Sequence, residues 1–265
     1  MRYDSIMPIP ERLNPIFGNS GSTNQRVEEA RNRLIVALDV PDAAAAFTLV
    51  DRLDGTCRWC KVGLELFVAA GPAIVEKLAT RGFSIFLDLK FHDIPNTVAG
   101  AVRSASSLGA RMMTLHAGGG PAMLAAARDV VASLPDPPQL LAVTVLTSMD
   151  QSQLGAVGVN REPGMQVKLL AEMGLQAGLN GFVCSPEEVA QLRSLTGPKG
   201  VLVIPGIRPA GAAVGDQKRV ATPASAIRDG ASYLVVGRPI TQAPDPAEAA
   251  EAIVCEIGEA LGGES

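Results

Sequence analysis

Phe83-Ser84-Ile85-Phe86-Leu87-Asp88-Leu89-Lys90-Phe91-His92-Asp93-Ile94-Pro95-Asn96-Thr97 decides the reading of this chain. Its opening is an apolar run of strand length. A strand turns successive side chains to opposite faces, so Asp88 and Lys90 point the same way. Asp93 falls just past the strand, where the chain turns before Pro95 opens a helix. Two carboxylates therefore bracket one ammonium at the C-terminal end of a strand. Such a cluster is either a salt-bridged loop or a fixed proton donor set among concentrated negative charge, which suits protonation of a carbanion.

Outward from this stretch the chain alternates. Apolar strand candidates are Leu34–Asp39, Trp59–Gly63, Phe83–Leu89, Arg111–His116, Leu140–Leu146, Gly181–Cys184, Val201–Pro205 and Tyr233–Val236. Each is followed by a segment of helical period: Ala43–Leu53, Pro72–Thr80, Thr97–Leu108, Pro121–Val131, Gln166–Ala177, Pro186–Leu195, Pro223–Asp229 and Pro246–Leu261. Several of these open with proline in the first turn. Eight strand–helix units predict an α/β fold of the (β/α)₈ TIM-barrel type, a single domain over residues 33–265. A doubly wound sheet is the alternative, because local pattern cannot see closure. No Gly-x-Gly-x-x-Gly follows the first strand, which removes the usual dinucleotide fingerprint. Residues 1–32, polar and proline-bearing, read as an N-terminal extension ending in a short helix near Gln25 to Arg31.

Composition agrees with a parallel sheet under helices. Hydrophobic residues make up 47% of the 265 and aromatics only 4%, so the core is aliphatic. The net charge of −4 argues against a general nucleic-acid or membrane partner, so an anionic substrate needs a local basic cluster. No apolar run reaches membrane-spanning length, and the N-terminus lacks the layout of a signal peptide, so the expected setting is cytoplasmic and reducing. Cys57 and Cys60 have C-x-x-C spacing without a second pair or a histidine cluster, and no metal site is expected from them. Cys184 and Cys255 read as small core residues.

Barrel enzymes carry their chemistry at the C-terminal ends of the strands. Here those ends hold Asp39, Lys61, Asp88, Lys90 and Thr147. The loop after the seventh strand begins Pro205-Gly206-Ile207-Arg208-Pro209 and runs through Gln217, Lys218 and Arg219 to Thr222. The eighth strand ends Val235-Val236-Gly237-Arg238-Pro239. Glycine lets backbone amides approach an anion, and arginine offers a bidentate fork, so this end is expected to bind phosphate. Arg238 is the foremost candidate, Lys218 reads as a solvated charge, and Arg219 fits either role. His116 ends the fourth strand before Gly118-Gly119-Gly120 and is read as a hydrogen-bonded structural residue, with catalysis as the alternative. His92 is assigned no proton transfer.

Taken together, Ala37-Leu38-Asp39, Lys61-Val62-Gly63, Asp88 through Thr97, Val143-Thr144-Val145-Leu146-Thr147, Pro205-Gly206-Ile207-Arg208 and Gly237-Arg238-Pro239-Ile240 resemble the orotidine 5'-phosphate decarboxylase family, in its order. The resemblance runs from about residue 33 to the end. It implies a cofactor-free homodimer that converts orotidine 5'-monophosphate to uridine 5'-monophosphate and carbon dioxide. It further implies that Asp39 and Lys61 hold the ribose hydroxyls and the charged network, that Lys90 protonates C6, and that Asp88 sits near the substrate carboxylate. Thr147 would contact the pyrimidine, and Arg208, Gln217, Gly237 and Arg238 the phosphate and its loop. Asp93 and Thr97 would cross the dimer interface into the partner's site. Physical logic agrees: with no electron sink, charge at C6 must be stabilised by preorganised groups, and Lys90 is suitably cationic. Two rival functions are a magnesium-dependent sugar-phosphate decarboxylase or aldolase of the same superfamily, and a non-catalytic phosphoribosyl binder. In the former an acidic residue typically stands where Lys61 stands here, and a lysine there repels a divalent cation.

Overall fold

The computed structural model describes residues 20–209 and 219–263. Their strands are β1 (Leu34–Ala37), β2 (Trp59–Gly63), β3 (Ser84–Phe91), β4 (Ala110–His116), β5 (Gln139–Val143), β6 (Gly181–Val183), β7 (Val201–Ile204) and β8 (Tyr233–Val236). They pair in parallel, in sequence order, and close with β8 beside β1, where Leu34 pairs with Leu234. Closure settles the choice between the two sheet topologies in favour of the barrel.

The helices are α1 (Ser20–Arg33), α2 (Ala43–Arg52), α3 (Leu64–Ala70), α4 (Ala73–Thr80), α5 (Pro95–Ser106), α6 (Gly120–Ala132), α7 (Gln151–Ala156), α8 (Pro163–Gln176), α9 (Val189–Thr196), α10 (Pro223–Arg228), α11 (Arg238–Thr241) and α12 (Pro246–Gly262). Three were not expected. Of these, α3 follows β2 without a loop, α7 starts on an Asp150–Gln153 capping box, and α11 is a single turn after β8. The helix preceding β1 is longer than Gln25–Arg31 and runs directly into the strand. It packs on α12, where Arg31 pairs with Glu251. No described helix is long and apolar enough to cross a membrane.

Strand alternation explains where the core ends and the site begins. Outward-facing Leu34, Val36, Cys60, Val62, Ile85 and Leu87 are buried under the helices. Inward-facing Ile35, Ala37, Phe86, Met112, Leu141, Val203 and Val235 form a separate cluster that fills the barrel. Stepping two residues further along the inward face gives the polar Asp39, Asp88 and Thr114, with Val143, Pro205 and Gly237 beside them. The polar groups are thus the next layer of the same stack. Several strands end earlier than their apolar runs: β1 stops at Ala37 and β5 at Val143. The ladder continues for one residue through Leu38 N–H to Lys61 O (3.0 Å) and Thr144 N–H to Val183 O (3.2 Å), after which the backbone turns into the mouth loops.

β3 departs from a regular pleat. Leu87 pairs with Met113 and Phe91 with Leu115, so Asp88, Leu89 and Lys90 stand opposite Thr114 alone. This bulge is accommodated by Lys90, whose φ of 49° lies in the left-handed region that side chains disfavour.

Candidate active site

The barrel mouth holds a cavity of about 440 Å³. Its floor includes Ala37, Phe86 and Val235 of the interior cluster. One wall is ionic. Lys61 Nζ donates to Asp39 Oδ1 at 2.9 Å and stands 3.8 Å from Asp88 Oδ2, while Lys90 Nζ donates to Asp88 Oδ1 at 2.8 Å. Charge alternates along this row from exposed Asp39 to shielded Asp88, whose side chain is 14% exposed. Gly63 leaves room for the Lys61 ammonium, since a Cβ there would lie 2.8 Å from Lys61 Nζ.

The bracketing differs from the one expected. Within this chain Asp88 lies between two ammonium groups, Lys61 and Lys90, whereas Asp93 does not join Lys90. Asp93 is exposed beyond the strand, and its Oδ1 accepts the Ile94 N–H at 2.6 Å. Thr97, one turn into α5, is exposed as well, and neither lines the cavity. The physical reason is the bulge, which folds Lys90 back toward Asp88 while the following residues run outward to the helix.

Thr147 lines the cavity after β5, as do Leu146 and Val145. Arg208, Gly237 and Arg238 line the part that belongs to β7 and β8. Burial pushes the Arg208 guanidinium below its ordinary value, and the nearby Arg238 charge adds to the effect. Paired guanidinium groups favour an anion. Gln217, the remaining residue expected at the phosphate, lies outside the described residues.

Three features carried little or no signal in the sequence. Thr114, fully buried in β4, donates to Asp88 Oδ1 at 3.0 Å and accepts the Lys90 N–H at 2.8 Å. Arg219 is a buried ion pair and neither a solvated charge nor a cavity-lining residue: it pairs with Glu188 and donates to Leu146 O at 3.3 Å. Glu188 also closes a capping box with Ser185, so one buried cluster joins the loops after β5, β6 and β7. Cys184, expected in the core, is buried and lines the cavity, and burial pushes its thiol well above its usual range, whereas Cys255, also read as a core residue, is exposed.

The histidines stand beside the site. His92 and His116 stack with centroids 5.0 Å apart and 17° between planes. His116 Nδ1 accepts the Gly118 N–H at 3.3 Å, and it does not line the cavity. Among the described residues no three His, Cys, Asp or Glu side chains group as metal ligands.

With this geometry in hand, residues 32–253 match the orotidine 5'-phosphate decarboxylase / HUMPS family. The chain belongs to that family. It is 55% identical over 234 residues to the orotidine 5'-phosphate decarboxylase of Moorella thermoacetica, covering 86% of this chain and 93% of that protein. It is 56% identical over 215 residues to the protein of that name from Nitrosospira multiformis, covering 81% and 89%. Among solved structures, orotidine 5'-phosphate decarboxylase from Lactobacillus acidophilus superposes with a TM-score of 0.75 at 39% identity, covering 85% of this chain and 99% of that one.

Proposed function

We propose that the chain decarboxylates orotidine 5'-monophosphate to uridine 5'-monophosphate and carbon dioxide, a step of pyrimidine nucleotide synthesis, and does so as a cofactor-free homodimer. The observation that carries this reading is the row Asp39–Lys61–Asp88–Lys90 on one wall of a cavity whose other end gathers Arg208 and Arg238. A phosphate binder needs only the arginines. The ionic row is what a reaction that builds charge at carbon requires.

In this mechanism the bond from C6 to the carboxylate breaks and its electron pair stays on C6. The Lys90 ammonium stabilises that pair and then gives C6 its proton. Asp88 holds Lys90 in place and Lys61 balances Asp88. Asp39 and Lys61 bind the ribose hydroxyls, and Thr147 contacts the base. Arg208, Gln217, Gly237 and Arg238 take the phosphate, whose binding energy supports assembly of the site. Asp93 and Thr97 serve the partner's site. Their exposure outside their own cavity supports this, as does Ile94 beside them, an apolar side chain that is 67% exposed. Free and mostly buried cysteines suit the reducing cytoplasm.

The test is turnover of orotidine 5'-monophosphate by the purified protein, followed by loss of orotate absorbance, before and after exhaustive chelation. Turnover that persists after chelation is expected. No turnover would favour a phosphoribosyl binder, and turnover that needs magnesium restored would favour the sugar-phosphate branch.

A further inference from the structure

We propose that Thr114, on β4, is a positioning residue for this reaction, setting the place of the Lys90 ammonium by holding the Asp88 carboxylate and the Lys90 backbone with one hydroxyl. The inference rests on the decarboxylase reading and goes beyond it by adding a strand that contributes nothing to the cavity wall.

The argument begins with the bulge. Three residues of β3 occupy the space opposite one residue of β4, so the Lys90 N–H cannot find a carbonyl in the ladder. An unpaired amide there would be costly. The Thr114 hydroxyl supplies the acceptor at 2.8 Å. Having one hydrogen, it must spend it elsewhere, and it donates to Asp88 Oδ1 at 3.0 Å. Asp88 Oδ1 in turn accepts from Lys90 Nζ at 2.8 Å. The contacts close a ring: Lys90 backbone, Thr114 hydroxyl, Asp88 carboxylate, Lys90 side chain. A lysine side chain carries several rotatable bonds and reaches a defined position only when its ends are held. Here both ends are held through the same two partners.

The ring also explains how the backbone tolerates φ of 49° at Lys90. Strained conformations persist where surrounding contacts over-determine them. Thr114 is fully buried, so no water replaces its hydroxyl without rearrangement. A threonine that merely filled space at this position would be replaceable by valine, which has the same shape without the donor and acceptor.

The experiment compares wild type, Thr114→Val and Thr114→Ser for steady-state decarboxylation and for affinity toward the product uridine 5'-monophosphate. Wild-type turnover of orotidine 5'-monophosphate is the control that fails if the functional reading fails, whatever Thr114 does. Thr114→Val is expected to lower kcat about 10- to 100-fold, the loss of a hydrogen bond to a charged group, with product affinity within about threefold. Thr114→Ser, which keeps the hydroxyl, is expected to restore kcat to within about threefold. The proposal is overturned by a valine variant with wild-type kcat, by a kcat loss matched by an equal loss of product affinity, or by a serine variant as impaired as valine. Should Thr114→Val not fold, Thr114→Cys, a much weaker donor and acceptor of similar size, is held to the same criteria.

Discussion

Lys90 Nζ lies 2.8 Å from Asp88 Oδ1, while Lys61 Nζ stands 3.8 Å from the other oxygen of the same carboxylate. One half-buried carboxylate separates two cations. Lys90 is therefore held at a defined point on the cavity wall, where a proton donor can act. Lys90→Ala is expected to lower kcat by at least about 10³-fold while circular dichroism and melting show a folded barrel. Near-normal turnover of a pure variant would remove Lys90 from the mechanism.

Arg238 and Arg208 share one end of the cavity. Arg238→Ala is expected to reduce kcat/KM for orotidine 5'-monophosphate by about 100-fold, as removal of a charge-assisted contact to phosphate does. The nucleoside lacking phosphate should be affected far less. Equal losses on both substrates would show Arg238 supporting the fold instead of the phosphate.

Asp93 and Thr97 stand on the outer side of the mouth. If they serve a partner's site, Lys90→Ala and Asp93→Ala homodimers are each nearly inactive, and mixing them creates heterodimers with one doubly damaged and one intact site. Recovery of about half the wild-type activity per heterodimer is expected, with subunit exchange verified by distinguishable tags. Verified heterodimers that stay inactive would reject independent shared sites.

Burial pushes His116 below its ordinary 6.5, with His92 and Lys90 adding to the effect. Below 6.5 the unfolded chain takes up a proton that the folded ring refuses. The stability this neutral ring contributes is therefore full above 6.5 and is lost as pH falls through the lowered folded value. Asn at this position could still cap Gly118 but would not titrate. Between about pH 7 and pH 5 the wild-type Tm should fall more steeply than that of His116→Asn. Parallel curves would exonerate His116.

Glu188 and Arg219 are a buried ion pair. Removing one partner strands the other, so Glu188→Ala should cost about 3–5 kcal/mol in urea unfolding. Adding Arg219→Leu should recover part of that loss. A single variant as stable as wild type would mean that water reaches Arg219.

The barrel was legible because aliphatic runs and helical periods alternate at regular spacing, and the site because charges in an apolar chain fall at strand ends. What escaped is irregular or local. Alternation rightly brought Asp88 and Lys90 together but assumed a regular pleat, so it missed the bulge and, with it, Thr114, whose threonine looks ordinary inside an apolar strand. α3 was missed because Leu64-Glu65-Leu66-Phe67-Val68-Ala69-Ala70 is short, nearly all apolar and has no side-chain cap. Arg219 was ambiguous because its partner Glu188 comes from a different strand–helix unit, a proximity that the pairing of β6 with β7 creates.

Seven of the eight strand pairings join neighbours in sequence, but the last joins Leu34 to Leu234. Bringing such distant positions together costs about 2 kcal/mol more chain entropy than pairing neighbours some 25 residues apart. The ring therefore has a seam. α1 touches β1, β8 and α12 at this seam, and its Arg31 grips Glu251 across it. The helix that precedes the first strand works as a clasp on the joint where the circle of strands is completed.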